Sequence, residues 1–320
     1  MCIRDRLVHG SRPQIEAQLR QRRAKARYRN GIRITNDVAL ECVKEAVGVL
    51  RVEIDAMLSQ GLPNSPMAGA AINTVSGNFI TAQPYGIREG IDYQYTGTVR
   101  KVDSAAVQAC LDSGNIVIVS NVGYSPTGEV FNCAMEDVAV ATAKAIKAEK
   151  LIFLTDEPVT SADRNLVTEL SVDTANALLD KSGTLTSDTR LYLAHAVEAV
   201  NGGVPRAHLV SHKVDGALLI ELFTHDGSGS LLTRTGVEEL RQATIDDVGG
   251  ILKLIEPLEA DGTLVYRGRE MLEREVGRFF VIEHDSVIVG CAALYPFPKG
   301  KSAELAALAV HPDFRGAGYG

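Results

Sequence analysis

The chain has 320 residues, about right for two domains, and its 45% hydrophobic and 23% charged residues suit a globular core that needs no disulfide or metal staple. A formal net charge of −7 argues against nucleic acid and anionic membrane as partners, and no apolar run approaches the roughly 20 residues needed to span a bilayer. The five cysteines, odd in number and without a CxxC pair, point to reduced thiols in a cytoplasmic setting and to no metal site.

From the N-terminus, Met1 to Arg6 is short and charged with no apolar segment after it, so it is not a signal peptide, and it reads as foreign to the fold. Leu7-Val8-His9-Gly10 reads as the end of a buried strand entering a Gly turn, and the basic run Arg20 to Arg29 as a solvated face. Ile116 to Val119, Leu151 to Leu154 and Ala207 to Val210 are strand-like apolar runs. Between them the spacing predicts a helix over Glu136 to Lys150, acidic at its start and lysine-bearing toward its end, and a second around Leu191 to Val200. Strands alternating with helices imply a parallel sheet with helices on both faces.

A Gly/Ser loop at 226–230, extended by Thr233 to Gly236, marks a composition shift, and the domain boundary is placed near residue 235. Beyond it, Thr244 and Asp247 form a capping box for a helix whose stripe is Ile245, Val248, Ile251, Leu252 and Ile255. Phe279 to Ile282 and Val287 to Leu294 make a hairpin about a turn at 284–286, and Glu304 to Val310 a third strand.

The last eleven residues carry the strongest chemical signal. Val310-His311-Pro312-Asp313-Phe314-Arg315-Gly316-Ala317-Gly318-Tyr319-Gly320 ends a strand at a proline and enters a glycine turn that should open a helix. Such glycines let backbone N–H groups approach a diphosphate, and a helix N-terminus adds its positive dipole end. The segment resembles the cofactor-binding motif of the GNAT acetyltransferases. Upstream, Arg241 to Glu259, Gly262 to Glu273, Gly290 to Phe297 and Ala303 to Val310 resemble the acetyltransferase domain of the bacterial N-acetylglutamate synthases.

That resemblance implies a site for acetyl-CoA and L-glutamate. Val310, Arg315, Gly316, Gly318 and Gly320 would hold the pyrophosphate of acetyl-CoA. An amine acceptor is protonated at neutral pH and needs a base; Glu304, the only acid in the strand leading to the loop, corresponds to the family's proposed one. The Leu308 backbone would face the thioester oxygen. Arg267 and Arg269 sit where the family binds glutamate, Arg267 foremost, since guanidinium suits a carboxylate.

Residues 7 to about 229 resemble the amino-acid kinase family through His9 to Ile15, Val75 to Asn78, Phe131-Asn132, Ala148 to Asp156 and Glu221 to Gly229. Two departures speak against phosphoryl transfer. Ser11-Arg12 replaces a run of kinase glycines, and Asn132-Cys133-Ala134-Met135-Glu136 carries Ala134 and Glu136 where the kinases have a second Asn and a catalytic Asp. The resemblance implies a regulatory role instead: in arginine-inhibited relatives the segment similar to Glu221 to Gly229 binds L-arginine, which makes Glu221, Gly227 and Gly229 the candidates here and L-arginine the expected feedback inhibitor.

The expected fold is therefore α/β: an amino-acid-kinase-like, parallel-rich sheet sandwiched by helices over 7–232, then the N-terminal half of a GNAT α+β domain over 236–320. Both ends read as cut short, which makes the polypeptide by itself an expected poor catalyst. Membership of this family also implies a homo-oligomer. The rival readings are an acetylglutamate kinase, which would need the missing glycine run, and a non-catalytic arginine-sensing module.

Overall fold

A computed structural model describes residues 6–61, 64, 68–69, 71–161, 163–181, 183–224, 227–234, 238–284, 287–297 and 302–312. Arg6–His9 and Thr74–Ser76 flank Ile116–Ser120, both running parallel to it. The apolar run at 116–119 lacks alternation because its strand is covered on both faces: Val117, Ile118 and Val119 are all buried. Lys150–Thr155 pairs in parallel with Arg206–Ser211, from Lys150 opposite Arg206 to Thr155 opposite Ser211. The helix Ser187–Asn201 packs on both of these strands and against the helix Met135–Ala145.

Two features differ from the sequence expectation. A mixed sheet in the order Val130–Asn132, Val122–Tyr124, Ile80–Pro84, Gly97–Val102 accompanies the parallel pairs. The helix expected to reach Lys150 stops at Ala145, because Ile146 caps it and Lys147 turns left-handed at φ 51°. Lys150 then opens the next strand.

The chain divides into two compact units. One comprises the residues up to Thr168 with Ala175–Leu232; the other comprises Glu169–Thr174 with the residues from Thr233 onward. The second unit contains an antiparallel meander, Glu238–Gln242, Phe279–His284, Val287–Phe297 and Ser302–Val310, paired in chain order. The helix Val248–Ala260 lays Val248, Ile251, Leu254 and Ile255 into a core shared with Val281, Cys291, Ala293 and Leu272. Each such aliphatic side chain contributes about 1.5–3 kcal/mol when fully buried. Ile245, expected on that stripe, lies in the preceding short 3-10 turn and is exposed. Thr244 and Asp247 do close the helix entry, with the Thr244 backbone N–H donating to Asp247 Oδ2 at 2.7 Å. Arg241 donates two bonds to the same carboxylate, at 2.6 and 2.7 Å, and also reaches Glu283 on the neighbouring strand.

Candidate functional site

The last described strand of the second unit is not regular. Tyr295, Leu294 and Ala293 stand opposite Glu304, Leu305 and Ala306; after a shift, Cys291 and Gly290 stand opposite Ala309 and Val310. Ala307 and Leu308 thus share the interval opposite Ala292, a β-bulge, and Ala307 takes the left-handed φ of 50° that lets the strand make it. A bulge disrupts the ladder and re-aims the residues within it. Leu308, the expected backbone donor, lies in this bulge. Glu304, the expected base, is exposed and stands four residues before it, opposite Tyr295 and on the same face of the sheet. The strand ends at Val310, and Arg315, Gly316, Gly318 and Gly320 of the expected cofactor loop lie outside the described residues.

Arg267 precedes the helix Arg269–Glu275. Its backbone N–H donates to Glu259 Oε1 at 2.7 Å, which ties the loop to the end of the helix Val248–Ala260. Its Nη1 donates to the Val265 carbonyl at 3.1 Å, while its Nε is buried without a hydrogen-bond partner. The guanidinium is close enough to Tyr295 and Cys291 to act on the charge of both. Burial nevertheless pushes the Cys291 thiol up to about 12. Tyr295 is raised by burial and by Glu275, against the pull of Arg267. Arg269, by contrast, is exposed and pairs with Glu273 one turn on, Nε to Oε1 at 2.8 Å.

In the first unit, three of the sequence-predicted residues converge. Glu221, on the short helix Ala217–Phe223, is buried; His208 Nδ1 lies 2.6 Å from its Oε1, and the N–H groups of Ser228 and Gly229 donate to its Oε2 at 2.7 and 2.8 Å. Burial pushes this carboxyl up, but the His208 ring and the two amides outweigh it, so its pKa lies below the ordinary carboxylate value. Gly227 sits at φ 61°, and a Cβ there would come within 2.7 Å of Glu221 Oε2. At Gly229 an added Cβ would lie 2.5 Å from the Leu209 carbonyl. Sequence reasoning missed His208, which is buried with its Nε2 unpartnered. A histidine inside the apolar run Ala207 to Val210 was the available signal.

The region of the lost kinase motif is filled by side chains. Ser11, 1% exposed, donates to Asn121 Oδ1 at 2.8 Å. Asn121 donates to Asn132, and Asn132 to Thr35, at 2.8 and 3.0 Å. A methyl built on Gly10 would lie 3.3 Å from the Met135 Cβ, so Met135 covers the face of that glycine. Arg12 lies over the Tyr28 ring, 4.8 Å from its centroid.

Comparison with known proteins finds two families along the chain. Residues 6–211 match the amino acid kinase family, and residues 251–320 match the acetyltransferase (GNAT) family. The chain is 54% identical over 315 residues to an amino-acid acetyltransferase of Ralstonia nicotianae, covering 98% of this chain and 70% of that protein. It is 50% identical to one from Azotobacter vinelandii, with 98% and 72% covered. Among solved structures it resembles N-acetylglutamate synthase from Neisseria gonorrhoeae complexed with coenzyme A and L-arginine. That likeness has a TM-score of 0.88 at 35% identity, over 99% of this chain and 73% of the other. A second structure of that enzyme, complexed with coenzyme A and N-acetyl-glutamate, gives a TM-score of 0.66, also at 35% identity, over 97% of this chain and 71% of the other.

Proposed function

The chain belongs to the amino-acid acetyltransferase family, and from that premise we propose that it transfers the acetyl group of acetyl-CoA to the α-amine of L-glutamate, the opening step of arginine synthesis. The observation that carries this reading is the bulged strand Ser302–Val310, which holds Glu304 and Leu308 within the segment matching the GNAT acetyltransferases.

In this reading Glu304 takes a proton from the glutamate ammonium, directly or through a water, and frees its lone pair. The nitrogen attacks the thioester carbonyl, a C–N bond forms, and negative charge collects on the carbonyl oxygen. The Leu308 N–H, turned out of register by the bulge, donates to that oxygen. The C–S bond then breaks as the nitrogen sheds its second proton, and the coenzyme A thiolate leaves and takes up one proton, so that amide and thiol balance. Arg267 holds a glutamate carboxylate, with Arg269 as a second candidate. Val310, Arg315, Gly316, Gly318 and Gly320 would grip the pyrophosphate through backbone N–H groups.

The first unit supplies regulation. A relative has been solved with L-arginine bound, which supports L-arginine as feedback inhibitor at the Glu221 to Gly229 segment. Three donors already occupy the Glu221 carboxylate, so its role is to shape the loop whose carbonyls accept the guanidinium, leaving at most one lone-pair site for the ligand itself. Acetylglutamate kinase is the weaker reading, since Met135 and the Ser11 network stand where a phosphate cradle would be. We assign the regulatory domain to 7–232 and the catalytic domain to 236–320, in a cytoplasmic homo-oligomer. Among the described residues, no helix is long and apolar enough to cross a membrane.

The test is thiol release from acetyl-CoA by the complete gene product with glutamate. Glu304→Gln should lower kcat by about 100-fold, in the range of general-base contributions. Arg267→Ala should raise the glutamate KM by at least about 10-fold. Glutamate acetylated equally well with both residues replaced would end this reading.

A further inference from the structure

Arg267 is a partly buried cation with two acids in its neighbourhood, yet neither forms an ion pair with its guanidinium. Glu259 accepts the Arg267 backbone N–H, not the guanidinium. Glu275, at the end of the helix Arg269–Glu275, is engaged elsewhere: the Tyr295 hydroxyl donates to its Oε2 at 2.7 Å, and Arg278 Nη1 stands 3.7 Å from its Oε1. Arg278 also lies over the Tyr295 ring, 5.0 Å from its centroid, which closes the group on itself. What remains for Arg267 is one carbonyl bond, the Tyr295 hydroxyl that it shares with Glu275, and a buried Nε with nothing to donate to. An orphaned donor of this kind costs free energy until a ligand accepts from it.

We propose that Tyr295 is a positioning residue for the acceptor amino acid, holding the Glu275 carboxylate away from Arg267 so that the guanidinium stays open to a carboxylate of the substrate. This deepens the acetyl-transfer reading above and rests on it. Tyr295 is well placed for the task. It stands on the strand Val287–Phe297 opposite Glu304, so the residue that keeps the clamp vacant is a cross-strand neighbour of the base. Its ring is partly buried against the core of the helix Val248–Ala260, which fixes the direction of its hydroxyl. Without that hydroxyl, Glu275 loses a charge-assisted bond, and Arg267, which shares the hydroxyl with it, joins Arg278 as a cation that can take the carboxylate up. An internal carboxylate on Arg267 would then compete with the carboxylate of glutamate.

The competition makes a prediction that mere packing does not. In the complete gene product, Tyr295→Phe keeps the ring and removes the hydroxyl. The glutamate KM should rise about 10-fold while kcat moves less than about twofold, the pattern of a lost ground-state contact. Adding Glu275→Gln removes the competing charge, and the double variant Tyr295→Phe/Glu275→Gln should return the glutamate KM to within about threefold of the parent. The KM for acetyl-CoA should stay level throughout. A double variant as weak as Tyr295→Phe alone, or a Tyr295→Phe that loses kcat with KM unchanged, overturns the proposal while leaving glutamate acetylation intact. A parent protein that does not acetylate glutamate overturns the acetyl-transfer reading, and this proposal with it.

Discussion

Burial raises the energy of a carboxylate, and at Glu221 three donors reverse the outcome. A group whose pKa is lower in the folded chain stabilises the fold above its unfolded pKa, and that contribution fades as pH falls through the folded value. Glu221 should therefore support the first unit fully at neutral pH and lose that support only below the ordinary carboxylate range. Glu221→Gln keeps the shape but replaces charged acceptors with a neutral amide, one end of which meets the two N–H groups. It should cost about 2 kcal/mol in urea unfolding at pH 7, in line with hydrogen bonds to charged groups, with the gap from the parent narrowing in acid. Gly229→Ala should be at least as harmful, about 2 kcal/mol or more, because its Cβ would press on the Leu209 carbonyl, which belongs to a strand and has little room to yield. The sequence revealed Glu221, Gly227 and Gly229 as one short segment. It hid His208, since nothing local says which buried side chain a strand residue thirteen positions earlier will meet.

At the level of elements, the second unit depends on a junction that one arginine makes. Arg241 on the strand Glu238–Gln242 clamps Asp247 at the helix entry and Glu283 on the next strand. The guanidinium holds the Asp247 carboxyl far below the usual range, so this junction too is intact above the unfolded aspartate pKa and lost as pH falls well below it. Arg241→Ala leaves two acids facing each other, one of them buried, and should cost about 3 kcal/mol in the thermal or urea unfolding of the second unit. That strand was not legible in advance. Its sequence, Glu238-Glu239-Leu240-Arg241-Gln242, offers no apolar alternation, and it becomes a strand because Phe279–His284 provides a ladder for its backbone. The capping box and the hairpin after it were legible because both are local: a Thr with an acid three residues on, and two apolar runs around a short turn. The over-long helix at 136–150 failed for the converse reason. Ala, Lys and Glu favour helix at every position, and the stop comes from a left-handed Lys147 that no propensity marks.

For the molecule as a whole, the proposed effector should be visible as stabilisation. A ligand that binds only the folded chain adds RT ln(1 + [L]/Kd), about 2.7 kcal/mol at a hundredfold excess over Kd. L-arginine should accordingly raise the melting temperature of the complete gene product, and Gly227→Ala should abolish the rise, since its Cβ would crowd the Glu221 carboxylate that shapes the loop. An unchanged melting temperature in saturating L-arginine would remove the first unit from arginine sensing.

The chain of bonds through Ser11, Asn121, Asn132 and Thr35 continues from the Thr35 hydroxyl to Thr96 Oγ1, whose own proton goes to the Arg33 carbonyl at 2.6 Å. Its members are spread from residue 11 to residue 132, so it closes only once that part of the first unit has assembled. Side-chain bonds that need every one of these backbone segments already in place form after the backbone has assembled, which places them beyond the barrier on the native side. Severing the chain at Asn132 with Asn132→Ala should therefore hasten unfolding in stopped-flow measurements while leaving the refolding rate nearly untouched. Residues that stand in the place of a phosphate cradle would then serve as the latch that sets how long the folded state lasts.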